Sequence, residues 1–177
     1  MQRDDIPFPR LVLPVMHTYD VQWLLLSAGD FAKRAFNCMT ISWGSLGVIW
    51  GKPFAMVVVR PTRHTWQFME SSDSFTLCAF SEEHRGKLDY CGSHSGMDGD
   101  KVKACGLTPI PSRLVASPAY DEAELVVECR KMYFGDLDPS HFLDPAIESN
   151  YPKKDYHRMY FGEVVAVTGT AAWRLAE

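Results

Sequence analysis

The sequence predicts a mainly β protein built as one barrel or sandwich. Three observations carry this. Seven segments are rich in β-branched and aromatic residues. The stretches between them hold only short helical patterns, and proline and glycine fall where strands should turn. At 177 residues and 46% apolar composition, the chain supports one domain with a substantial core and is short for two. No internal repeat or low-complexity segment interrupts it.

In chain order, the expected strands are residues 11–17, 21–28, 35–43, 54–60, 75–80, 125–134 and 159–170. Residues 66–71 read as a short helix begun by Thr65. Residues 82–91 read as another, with the Ser81 hydroxyl as cap and two acids in the first turn, where they suit the helix dipole. A third, over 100–104, stops at Gly106. The connection over 136–155 is long for a structureless loop, so it should hold a short helix within 139–148 or cover something. Asp138-Pro139 suits an N-cap followed by proline at the first helical position. The segment reads equally as a lid or dimer arm and as a packed surface loop.

With 18 basic against 22 acidic side chains and a formal charge of −4, the chain has no electrostatic footprint for nucleic acid or an anionic membrane. No apolar run reaches the roughly 18 residues of a membrane span. The opening Met1-Gln2-Arg3-Asp4-Asp5 carries acids where a secretory signal would have its apolar core. A cytoplasmic location is the expectation. The cysteines Cys38, Cys78, Cys91, Cys105 and Cys129 are odd in number and widely spaced, which predicts free, mostly buried thiols. His84, Cys91 and His94 match no standard zinc spacing and lack a fourth ligand, so no metal is expected.

The most informative stretch is Asn37-Cys38-Met39-Thr40-Ile41-Ser42-Trp43, followed by Arg60-Pro61-Thr62-Arg63-His64-Thr65. At period two, Asn37, Met39, Ile41 and Trp43 take one side of a strand, and Cys38, Thr40 and Ser42 take the other. Polar and aromatic groups among apolar ones suit the wall of a pocket for a planar, partly polar ligand. The same residues also read as a strand whose polar members satisfy neighbouring backbone, with Arg60, Arg63 and Lys101 as solvated charges. Two further blocks follow: Cys91-Gly92-Ser93-His94-Ser95-Gly96-Met97-Asp98-Gly99-Asp100-Lys101, and Asp155-Tyr156-His157 leading into Phe161-Gly162-Glu163-Val164. In this order the three blocks resemble the flavin reductase-like, FMN-binding split-barrel family, and its flavoredoxin branch in particular. The resemblance spans roughly residues 37–167.

That resemblance implies a Greek-key split barrel of six to seven strands, with a few short helices, as a single domain over residues 1–177. It implies FMN as cofactor, its ring along Asn37, Met39, Thr40, Ile41, Ser42 and Trp43. The phosphate would be held by Arg60, Arg63, Thr65, Ser95, Gly96 and Lys101, because phosphate wants cations, hydroxyls and helix-start N–H groups. Met97 stands where the family usually has a basic residue, and Val102 where an aromatic is common, so a weaker phosphate side is expected.

His157 is the candidate catalytic residue, positioning a nicotinamide so that hydride passes over about 3–3.5 Å. From the residues alone, an exposed histidine between Asp155 and Arg158 is the other reading. The implied activity is hydride transfer from NADH or NADPH to flavin, with electrons passed on to an acceptor. The alternative is a non-enzymatic, flavoredoxin-like electron carrier that meets a redox protein partner, and a third reading is a barrel for some other planar ligand. The absence of a Gly-x-Gly-x-x-Gly element fits a nicotinamide bound over the flavin. The family implies a homodimer, with 136–155 completing the partner's pocket and Phe142, Tyr151 and Tyr156 burying against the partner or against their own barrel.

Overall fold

The computed structural model describes residues 2–176. Its strands are β1 (Asp4–Asp5), β2 (Leu24–Asp30), β3 (Ala35–Ile41), β4 (Gly44–Ile49), β5 (Lys52–Val59), β6 (Ser74–Ala79), β7 (Pro109–Ile110), β8 (Ala119–Tyr120), β9 (Leu125–Asp136) and β10 (Arg158–Gly169). The α-helices are α1 (Val15–His17), α2 (His64–Ser71), α3 (Arg85–Ser93) and α4 (Lys101–Ala104). One antiparallel sheet runs in the order β3-β2-β6-β9-β10-β5-β4, with β1 beside β10, while β7 and β8 form a separate ribbon. The sheet's two outer strands, β3 and β4, are consecutive in the chain and joined only by Ser42 and Trp43, yet they are not ladder partners. The barrel is therefore split there, and β3 keeps one open edge.

Alternation explains the core. On β2, Leu24, Leu26 and Ala28 enter the barrel interior with Val57, Val59, Phe75, Leu77, Leu125 and Tyr160. Leu25 points outward into a second apolar layer with Cys38, Cys78, Phe80, Leu88, Cys91, Val102 and Tyr120. β2 is thus buried on both faces, which is why it reads as an apolar run and not as an alternating strand. Gly162 marks a register shift between β10 and β9. A Cβ there would lie 2.6 Å from the Phe75 ring and 2.8 Å from Cys129 Cβ, so the strands can close only on glycine.

Six of the seven expected strands form, with shifted ends. The exception is 11–17, where Leu11 makes only an isolated bridge to Arg174 and Val15–His17 is helical. Pro14 lacks the N–H a ladder needs and stands at the N-cap of the helical turn that follows. The strand expected from Val21 begins at Leu24, after Trp23 takes a positive φ of 67°. β4 was not foreseen, because Gly44 and Gly47 and a half-buried pattern hide its period. Trp43, placed by the sequence in a strand, lies beyond the end of β3.

The helix starts also differ from expectation. α2 begins at His64, one residue before Thr65, whose side chain turns inward instead. The Ser81 hydroxyl bonds the Glu83 carboxylate at 3.1 Å and caps no backbone group. Asp100 caps α4 by accepting from the Lys103 N–H, and Gly106 follows at a φ of 62°. Within 136–155, Asp138 and Asp144 each cap a 3₁₀ turn, Pro139–His141 and Pro145–Asn150. The segment lies mostly exposed, with Leu143 98% exposed, and is anchored at its end by the buried Tyr151, which clusters with the rings of Phe142 and Tyr156.

Candidate functional site

The split in the barrel is where the site residues converge. Ser42 and Trp43 bridge it, and β3 forms one lip. The Cys38 carbonyl turns away from β2 and accepts from the Thr65 hydroxyl at 3.1 Å. In an antiparallel strand a residue's N–H and C=O point to the same edge and alternate along the chain. Thr40 shares the parity of Cys38, so its main-chain groups also face the open edge. That edge therefore offers fixed donors and acceptors beside a cavity of about 180 Å³ lined by Met39, Thr40, Ile41, Ser42, Trp43, Val58, Arg60, Arg63 and His157.

β10 runs antiparallel to β5 with Arg158 opposite Val59, which sets His157 level with Arg60. His157 is buried, its ring 5.2 Å from the Trp43 ring and its Nδ1 2.9 Å from the Tyr151 hydroxyl. Burial lowers its pKa to about 4, with the positive charges of Arg60 and Arg63 adding to the effect and Asp155 opposing it. The imidazole is neutral at pH 7. We assign its proton to Nε2, because the phenol is the better donor toward Nδ1. Arg60 is tied down on this side: it pairs with Asp155 at 2.9 Å, donates to the Asn150 carbonyl at 2.8 Å and lies over the Tyr151 ring. Burial pushes the Asp155 carboxyl up, but hydrogen bonds, including those from Thr62 and Arg60, outweigh it and leave the pKa lowered.

A second cavity, of about 120 Å³, adjoins the first through the shared residues Met39 and Arg63, and Thr65, Ser95, Gly96 and Lys101 line it. Here Arg63, the N-cap of α2, makes no side-chain cap, and since the Trp66 N–H is taken by the Arg63 carbonyl, the N–H groups of His64 and Thr65 are the ones left for an anion. α4, in contrast, is closed by the Asp100 carboxylate, which accepts from the Lys103 N–H, so of these two helix starts only that of α2 is open. Arg63 donates to the Gly92 carbonyl at 3.2 Å and stays largely exposed. Lys101 is buried, and its ammonium donates to the carbonyls of Cys91 at 2.9 Å and His94 at 3.2 Å. Burial lowers its pKa.

The structure thus brings Met39, Thr40, Ile41, Ser42, Trp43, Arg60 and His157 to one end of a trough, and Thr65, Ser95, Gly96 and Lys101 to the other, with Arg63 between. Arg60, grouped by sequence with the phosphate residues, lies at the opposite end. Asn37 sits behind the phosphate end, where its amide donates to the Thr65 hydroxyl at 2.9 Å. A Cβ on Gly96 would lie 2.4 Å from Asn37 Oδ1, so this position needs glycine for close approach. Tyr151 was missed as a site residue, and Asp138-Pro139, which signalled turns in that arm, did not point to it. Thr62, whose hydroxyl donates to Asp155 at 3.1 Å, lay inside the singled-out block.

Fold and site together define a split-barrel protein of the flavin reductase-like kind. The flavin reductase like domain model matches residues 16–172, and the chain belongs to that flavin-binding family. An uncharacterized protein of Pyrococcus abyssi (strain GE5 / Orsay) is 29% identical over 163 residues, covering 90% of this chain and 76% of that protein. Among solved structures, the flavoredoxin of Desulfovibrio vulgaris (Miyazaki F) superposes with a TM-score of 0.67 at 21% identity, covering 90% of this chain and 78% of that one. An FMN-binding domain of a flavin reductases-like enzyme from Shewanella baltica OS155 gives 0.68 at 16% identity, covering 95% and 77%. Among the described residues, no helix is long and apolar enough to cross a membrane.

Proposed function

We propose that the chain holds FMN in this trough and works as an NAD(P)H-dependent flavin oxidoreductase. The observation that carries the reading is the trough's polarity. One end offers strand-edge backbone, Trp43 and a neutral His157 to a flat ring. The other offers an uncapped helix start, Arg63 and the hydroxyl of Ser95 to a phosphate, while the Thr65 hydroxyl donates to the Cys38 carbonyl. The donor set therefore fits the group. When bound, FMN would supply hydride acceptance and onward electron passage. The chain's own part is to orient and shield. Thr40 main-chain groups would hold the polar ring edge, and His157 would offer Nε2–H to a carboxamide without taking up a proton.

The test is an anaerobic absorbance titration with FMN, followed by NADH and then NADPH. The reading expects bound FMN to bleach rapidly with one nucleotide. Tight FMN that ignores both would favour the electron carrier with a redox protein partner. No FMN binding would remove the reading altogether.

We also infer a homodimer. Val48, Trp50, Tyr133 and Phe134 are each more than half exposed, and Trp50 meets Tyr133 edge-on at 6.2 Å, an apolar grouping that association would cover. A monomer by light scattering at micromolar concentration would sink this.

A further inference from the structure

Beside the phosphate end lies a larger cavity, of about 730 Å³, which the trough does not use. His64, Gly96 and Lys101 line both it and the phosphate cavity, so the two share a rim. Its walls carry the rings of Phe31, Phe36 and Phe68, with Phe31 and Phe36 at 6.3 Å between centroids. All three are half-buried, and His64 stands edge-on to Phe68 at 5.3 Å. Arg34, in the turn between β2 and β3, brings an exposed guanidinium to the mouth, and no ion pair holds it among the described residues. Asp100 sits on the same wall and Lys101 at the junction.

Each feature suits one part of an adenosine phosphate. Flat apolar walls stack a purine. A guanidinium binds phosphate or stacks on a base. A carboxylate accepts from ribose hydroxyls. The shared rim, with the α2 start and buried Lys101, lies where a phosphate leaving the flavin trough would continue into a second one. The volume falls in the range of about 300–1,000 Å³ usual for small-molecule sites.

We propose that this cavity takes the adenosine-monophosphate half of FAD, so that the protein prefers FAD over FMN. The proposal rests on the flavin reading of the trough. It names the part of the ligand that the trough alone leaves without contacts.

The experiment is a fluorescence titration of the whole protein with FMN and with FAD, repeated on Arg34→Ala and Phe31→Leu. FAD should bind at least about tenfold more tightly than FMN, a factor worth about 1.4 kcal/mol. Both variants should bring the two affinities within about twofold of each other, by weakening FAD and leaving FMN as it was. Arg34→Ala changes only an exposed turn, so its result stands even where Phe31→Leu folds poorly. If FMN binds and FAD binds no better, the cavity is not an adenosine site, while the flavin reading stands. If neither flavin binds, both fall. A tighter FAD whose advantage survives both variants places the adenosine elsewhere and overturns the assignment.

Discussion

The two ends of the trough hold positive charge in opposite ways. At the ring end Arg60 is matched: Asp155 takes its charge, and Tyr151 and the Asn150 carbonyl fix its geometry. At the phosphate end Arg63 and Lys101 meet, among the described residues, only carbonyl dipoles. A neutral dipole compensates a charge less well than a carboxylate, so the unmatched positive potential lies where a phosphate would go. The ring end is the rigid, balanced wall, and the phosphate end the charged one. Composition could not show this, since the whole chain is acidic by four charges.

Removing Lys101 breaks the contrast most severely. Its buried ammonium gathers the Cys91 and His94 carbonyls at the end of α3. Lys101→Met keeps the stem but leaves both carbonyls short of a donor, and should cost about 2–4 kcal/mol of stability and most of the FMN affinity. Urea melts and FMN titration of the variant measure both. Unchanged stability would show that water replaces the ammonium and that the phosphate end is softer than drawn.

The ring end answers through pH. His157 has its pKa lowered from 6.5 to about 4 in the fold, so between those values the unfolded chain takes up a proton that the folded chain refuses. The stability this residue protects is fully present above pH 6.5 and is lost as pH falls toward 4. The loss is on the order of 3 kcal/mol across that window. His157→Gln cannot titrate and should flatten that part of the curve while Tyr151 keeps a partner. Parallel curves for the two proteins in urea melts from pH 7 to 4.5 would mean that the imidazole is solvated.

Arg63→Ala sharpens the difference between the ends without touching the core. FMN affinity should fall about tenfold, near the low end of a charge-assisted contact because Arg63 is largely exposed. Riboflavin, which has the same ring and no phosphate, should bind as before. Equal losses for both ligands would move Arg63 to the ring end.

Much of this was legible in the residues. The strand over Ala35–Ile41 follows from its alternation, and its two faces do separate, Met39 and Ile41 toward the barrel interior and Cys38 toward the outer layer. What escaped was whatever depends on distant partners. β4 carries two glycines and gains its definition from pairing with β5, not from its own pattern. The direction of Lys101 is set by the end of α3, and a lysine in a polar block gives no sign that it turns inward. Tyr151 is buried because Arg60 and His157 come to it from other elements. The matched and unmatched ends of the trough likewise exist only once β5 and β10 lie side by side.

The smallest effect concerns Met97. It lies on the exposed segment between α3 and α4, where its N–H bonds the Ser95 hydroxyl at 3.1 Å and its side chain is 76% exposed. Met97→Arg would add a third cation near the phosphate end, and solvent would screen it. An exposed pairing of this kind is worth about 0–1 kcal/mol, so FMN affinity should rise no more than about fivefold. Raising the salt from low to physiological should shrink that gain, since the Debye length falls to about 8 Å. The gain should be absent for riboflavin. A larger, salt-resistant gain would mean that FMN closes this segment over itself and buries the new guanidinium. The phosphate end would then be an enclosed wall like the ring end, and the contrast between them would be one of charge alone.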